Sequence, residues 1–116
     1  MPITIYHNPR CSKSRETLNL LENQGIAPEV IQYLSDTPTA AQLAELQRKL
    51  GFDSARQMMR TKEDLYQSLN LGDASVSEQD LLDAMAANPK LIERPIVVNG
   101  DKAALGRPPE QVLDIL

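Results

Sequence analysis

Strand chemistry at both ends of the chain and a helical middle between them specify an α/β protein. Its sheet is mixed and of about four strands, with a helical insertion between the second and third. Ile3-Thr4-Ile5-Tyr6 is short, apolar and β-branched, and Glu29-Val30-Ile31-Gln32-Tyr33-Leu34 has the same character. The stretch between them carries Leu18, Leu20 and Leu21 and stops at Gly25, a natural left-handed helix end. A strand, a helix of about four turns and a second strand make a right-handed crossover, so the two strands run parallel.

From Ser35 to Arg94 the pattern is helical. Thr39-Ala40-Ala41-Gln42 reads as a capping box ahead of Leu43, Leu46 and Leu50, with Gly51 as the stop and another helix beginning there. Thr61 with Asp64 flags a further start before Leu65 and Leu69, and Ser77 with Asp80 one more before Leu81, Leu82 and Met85; Pro89 ends that helix. No repeat or flexible linker interrupts the region, so residues 1–116 read as one domain with an insertion over about residues 35–94. Met58, Met59 and Met85 are expected in the core. Strand character returns at Pro95-Ile96-Val97-Val98, where Asn99-Gly100 marks a two-residue hairpin turn before Asp101-Lys102-Ala103-Ala104-Leu105. Pro108 and Pro109 then open a short last helix through Val112 and Ile115 to Leu116.

Composition narrows the function classes. The chain has 116 residues, 41% of them hydrophobic, and a formal net charge of −4. A general affinity for nucleic acid needs a basic face, so none is expected. No apolar run has the length of a bilayer span, so no membrane association is expected either. Met1-Pro2 lead straight into strand residues without the pattern of a secretory signal, which predicts a cytoplasmic protein. One cysteine and one histidine exclude an internal disulfide and supply too few soft ligands for a structural zinc site. No bound metal or cofactor is expected.

The one cysteine, Cys11, stands in His7-Asn8-Pro9-Arg10-Cys11-Ser12-Lys13-Ser14-Arg15, where a strand hands over to a helix. A thiol there faces unsatisfied N–H groups and the positive end of the helix dipole, which favour thiolate. Its alternative is an inert buried thiol; the position at the turn favours a nucleophile. Arg10, Lys13 and Arg15 crowd the same helix start, where the dipole disfavours cations; any one of them alone reads as a side chain pointing to solvent, but three around a cysteine favour a demand for positive charge there. His7 can lower the thiol's pKa as imidazolium or as a hydrogen-bond donor, or can be a loop histidine with a backbone partner. Ser14 can donate to the sulfur from three residues on, or can cap the helix with Ser12.

The order of elements has the outline of a thioredoxin-like fold. In that architecture the strand before the hairpin opens on a cis proline beside the reactive cysteine, which here falls on Pro95. The joint occurrence of Ile5-Tyr6-His7-Asn8-Pro9-x-Cys11-x-x-Ser14-Arg15 with Arg94-Pro95-Ile96-Val97-Val98 and Gly106-Arg107-Pro108 resembles the glutaredoxin-linked arsenate reductase family over essentially the whole chain. The resemblance implies that Cys11 is the nucleophile on arsenate and that Arg60, Arg94 and Arg107 hold the oxyanion; Arg15, from the cation cluster at the helix start, is a further candidate for substrate binding. It also implies glutathione as co-substrate and glutaredoxin as partner in releasing arsenite. On general grounds Arg60 is a solvated helix residue and Arg107 a surface turn residue pairing with Glu110 or Asp114; only the resemblance promotes Arg60. An arginine just before Pro95 and an apolar strand lies beside the Cys11 loop in this fold, where a buried charge calls for an anion.

The chemistry agrees with the resemblance. Arginine's planar fork suits a tetrahedral oxyanion, and with no second cysteine the reducing thiols must come from outside the chain. A phosphatase-type Cys-x5-Arg loop is excluded because Thr17 stands six positions after Cys11. A monothiol glutaredoxin shares Cys-x-x-Ser but not the helical insertion or Arg94 before Pro95. An Spx-type regulator binding RNA polymerase shares the fold but typically carries Cys-x-x-Cys, which Ser14 breaks.

Overall fold

Ile3–Tyr6 (β1) lies inside a four-stranded sheet of order β2-β1-β3-β4, where Glu29–Ile31 is β2, Ile96–Asn99 is β3 and Lys102–Leu105 is β4. The computed structural model describes residues 3–116; Met1 and Pro2, which the N-terminal strand reading touched, lie outside them. β1 runs parallel to β2 and antiparallel to β3, and β3 is antiparallel to β4. This is the mixed sheet of a thioredoxin-like fold.

The chain divides into two compact units, one from the N-terminus to Asp36 together with Arg94–Leu116, the other Thr37–Glu93. In the first, Ile5, Leu21, Val97 and Val112 are fully buried, with Ile3, Leu18 and Ile115 packed on them. Each such burial contributes about 1.5–3 kcal/mol. Consecutive β3 residues Ile96 and Val97 are both buried, the pattern of an inner strand and not of one with a solvated face.

The helix Ser12–Asn23 (α1) turns Ser14, Thr17 and Leu21 inward, a spacing of three and four. Its buried face is therefore hydroxylic in the first turns and apolar only toward its end. Gly25 closes it with φ of 79°. β2 ends at Ile31, shorter than its apolar run suggests, because Gln32 O accepts from the N–H groups of Ser35 and Asp36 and the chain bends into turns. Tyr33 is nevertheless buried.

The hairpin turn sits one residue later than Asn99-Gly100 indicates. Asn99 pairs with Lys102, leaving Gly100-Asp101 as the two central residues, with Gly100 at φ 63°. Asn99 instead uses its side chain, whose Nδ2 donates to Ile115 O at 2.6 Å. The last segment, Pro109–Ile115, is a 3₁₀ helix.

In the second unit the helix Ala40–Leu50 (α2) carries the expected capping box, with Thr39 and Gln42 exchanging side-chain-to-backbone hydrogen bonds, and ends on left-handed Gly51. A 3₁₀ turn, Ala55–Met58, replaces the next expected helix. Asp64–Ser68 (α3) is one short turn entered from Glu63, without a side-chain cap from Thr61. Glu78–Ala87 (α4) is capped by Ser77, whose hydroxyl accepts from Asp80 N–H at 3.1 Å. Glu78 also reaches back, accepting from Ser54 Oγ and Ala55 N–H. Met58, Met59 and Met85 are in the core. No helix of the described residues is long and apolar enough to cross a membrane.

Candidate active site

The strand register brings three separate segments to one end of the sheet. Tyr6 pairs with Ile96 and Ile96 with Leu105, so the loop leaving β1, the entry to β3 and the exit from β4 share that end. They carry Cys11, Arg94 and Arg107 respectively. His7 N–H still donates to Ile31 O at 2.8 Å, and Gly106 N–H donates to Pro95 O at 2.9 Å. The Arg94–Pro95 peptide is cis, as the fold outline implies, and so is Arg107–Pro108, which the sequence does not signal.

Cys11 is the N-cap residue of α1, with extended backbone (φ −95°, ψ 124°), and is half-buried. Burial pushes its thiol up, but the Ser14 N–H, the Arg94 charge, the Lys13 N–H and a hydrogen bond from the Arg94 side chain outweigh it; the result is a pKa below the ordinary thiol value. The sulfur closes no strict capping bond. It sits instead where two helix amides and one guanidinium converge, so a negative charge on it is favoured without being locked in a short contact.

His7 and Ser14 form a buried pair behind this cap. His7 Nδ1 lies 2.6 Å from Ser14 Oγ, and Asn8 N–H donates to the same oxygen at 3.0 Å. Ser14 therefore acts on the sulfur through its amide, while its hydroxyl serves His7 and Asn8. Burial, then the nearby Arg15 charge, lowers the His7 pKa, so the ring is neutral near pH 7. This favours a hydrogen-bonding role over an imidazolium beside the thiol, and His7 is not among the groups that shift Cys11. Asn8 was not singled out in the sequence; the turn-forming Asn8-Pro9 pair was its signal, and its Oδ1 accepts from Arg10 N–H at 3.0 Å.

A pH dependence follows. The unfolded chain binds a proton on His7 at about pH 6.5 and the folded chain only at lower pH, so stability is intact above about 6.5 and declines as the pH falls toward the folded value. Urea unfolding midpoints are expected to drop between about pH 7 and pH 5. The proton resonances of this one imidazole, followed by NMR, should titrate below about 6.5; a value at or above it would contradict the neutral buried ring.

The remaining arginines are placed differently. Arg15 is exposed, and its Nη1 donates to Pro9 O at 2.9 Å, folding its guanidinium over the loop that leads to Cys11. Arg107 is half-buried and follows Gly106, which is itself tied to Pro95. Arg60 belongs to the second unit, where its N–H donates to Leu91 O at 2.8 Å and its Nη1 pairs with Glu63 Oε2 at 3.2 Å. Glu93 N–H bonds Met58 O beside it, so the backbone that carries Arg60 is held on both sides. Cys11, Arg94, His7 and Ser14 are thus joined by direct interactions, with Arg107 at the same end of the sheet.

Comparison with known proteins matches this description. Residues 6–115 match the model of the ArsC family. The chain is 56% identical to an arsenate reductase of Haemophilus influenzae over the full length of both chains. It is 51% identical to one of Neisseria meningitidis over 98% of this chain and 97% of that one. Among solved structures, an arsenate reductase from Vibrio cholerae superposes with a TM-score of 0.99 at 61% identity, covering 100% of this chain and 98% of that one. With a match that runs from the end of β1 to the last 3₁₀ helix and takes in every segment of the site, the chain belongs to the ArsC family.

Proposed function

We propose that this protein reduces arsenate to arsenite through a covalent intermediate on Cys11, drawing its electrons from glutathione and glutaredoxin in the cytoplasm. The observation that carries the reading is the half-buried Cys11 sulfur at the start of α1, held below the ordinary thiol pKa by the Ser14 and Lys13 amides and the Arg94 guanidinium. The same three groups suit the oxygens of an incoming tetrahedral anion.

Arg94, with Arg107 and Arg60 as the family resemblance implies, binds arsenate and offsets its roughly two negative charges. The Cys11 thiolate attacks arsenic; an As–O bond breaks, and the departing oxygen leaves as water after taking protons from solvent. The Cys11–S–As bond replaces it, with arsenic still pentavalent. Glutathione then attacks arsenic and a second As–O bond breaks to release water, leaving Cys11–S–As–S–glutathione. A glutaredoxin thiolate attacks the glutathione sulfur, the As–S bond to it breaks with its electron pair left on arsenic, and water then cleaves the Cys11–S–As bond. Two electrons pass to arsenic as a disulfide forms, and arsenite leaves with Cys11 restored. In net terms arsenate and two thiols give arsenite, one disulfide and one water. The absence of a second cysteine in the chain supports the external supply of both thiols.

The test is arsenate-dependent NADPH oxidation coupled through glutathione, glutaredoxin and glutathione reductase. Native protein is expected to turn over and Cys11→Ser to fall to background. A folded native protein with reduced Cys11 and no arsenate-dependent turnover would refute the reading, and binding to RNA polymerase in its place would favour the regulator.

A further inference from the structure

The unit Thr37–Glu93 holds three arginines, and their donors are spent in different ways. Arg56 gives Nε and Nη2 to Leu71 O and Nη2 also to Asp73 O, which ties down the loop between α3 and α4. Arg48 gives Nε and Nη2 to Glu45 Oε1. Arg60 has an acid at the same spacing of three, but meets it differently. Its Nη1 stands 3.2 Å from Glu63 Oε2, a charge contact, and among the described residues its guanidinium makes no directed hydrogen bond. A half-buried guanidinium thus keeps its five donors for another acceptor.

The backbone beneath Arg60 is fixed. Met59 and Ile92 form an antiparallel bridge, flanked by the bonds from Arg60 N–H to Leu91 O and from Glu93 N–H to Met58 O, and Met58, Met59, Leu91 and Ile92 are all buried. What stays free is the long side chain, whose rotamer entropy an anion must otherwise remove on binding. Glu63 is held too, since its N–H donates to Arg60 O at 3.1 Å and its carbonyl accepts from the N–H of buried Tyr66 at 3.0 Å. We infer that Glu63 is the positioning residue for Arg60: its carboxylate holds the guanidinium from one side before substrate arrives, so that the unspent donors meet the oxyanion already oriented. The inference rests on the reading that Arg60 binds arsenate, and it gives Glu63 no part in the chemistry. Its sign is distinctive. By charge alone a carboxylate near an anion site weakens binding, so its removal should tighten binding; by orientation, its removal should loosen it.

The coupled arsenate assay, read as separate KM and kcat values, tests this on native protein, Glu63→Ala, Glu63→Gln, Arg60→Ala and the double variant Arg60→Ala/Glu63→Ala. The KM for arsenate is expected to rise about fivefold in Glu63→Ala while kcat stays within about twofold of native. Glu63→Gln keeps an acceptor oxygen on the same stem and should lie between the two; it carries the test should the alanine variant unfold. The double variant should match Arg60→Ala, because Glu63 acts only through Arg60. Iodoacetamide alkylation of Cys11 without arsenate should be the same in all five proteins. A KM unchanged or lowered in both Glu63 variants, with Arg60→Ala impaired, would overturn the inference and leave the arsenate reading standing. So would a double variant in which the two losses add. A native KM in Arg60→Ala, or native protein without turnover, would instead remove the reading and the inference together.

Discussion

Arg94→Ala is expected to raise the Cys11 pKa and to lower arsenate-dependent turnover by about two orders of magnitude. The guanidinium favours the thiolate both by its charge and by a hydrogen bond, opposing the burial that pushes the thiol up. With it removed, the Ser14 and Lys13 amides remain, so part of the depression should persist. The rate of iodoacetamide alkylation against pH measures this directly: the midpoint should move upward and the rate at neutral pH should fall. Arg94→Lys separates the two contributions. A point charge keeps some of the thiolate preference but loses the planar fork, so the alkylation profile should recover more than turnover does. An alkylation profile identical in Arg94→Ala and the native protein would remove Arg94 from thiol activation.

Gly106→Ala is expected to cost about 3 kcal/mol or more in stability and to depress turnover with it. The backbone at Gly106 has an ordinary negative φ, so the need for glycine is spatial. A Cβ there would stand 2.7 Å from Pro95 Cγ and closer still to Thr17 Oγ1. Thr17 is fully buried and bonded to Lys13 O at 2.8 Å, and Pro95 is held by Gly106 itself, so neither neighbour yields easily. Relieving the clash must shift either α1, which bears Cys11, or the turn that leads into Arg107. Thermal unfolding should show a fall of roughly 10 °C. The double variant Gly106→Ala/Thr17→Ala removes the nearest clashing atoms and should recover part of the loss. No recovery would mean that the crowding lies elsewhere.

Much of this arrangement was legible in the residues, for identifiable reasons. β1, α1 and β3 have strong local signals, and the capping box at Thr39 and the stop at Gly51 are short-range chemistry that tertiary packing did not override. Cys11 was legible because a strand-to-helix turn is a place with known electrostatics. The errors fall where local and distant demands compete. The turn sits at Gly100-Asp101 because Asn99 is recruited by Ile115 O, sixteen residues away in sequence. The expected short last helix is present as a 3₁₀ helix, a type that apolar spacing over a single short segment does not distinguish from α. The hydroxyl of Ser14 was read as either a donor to the sulfur three positions back or a helix cap, and the buried histidine seven positions back takes it instead. The protonation of His7 depends on burial and on Arg15, neither of which is visible in the spacing to Cys11.

The strand order has a consequence for how the protein is born. β1 needs β3 on one flank, and β3, with Arg94 at its entrance, is near the end of the chain. During synthesis β1, α1 and β2 leave the ribosome first, and α1 finds the core partners Val97 and Val112 only when the later segments are made, so Cys11 gains its helix amides and its guanidinium together, as the β1–β3 pairing forms. The activation of the nucleophile is thereby tied to a long-range strand pairing and not to the local turn alone.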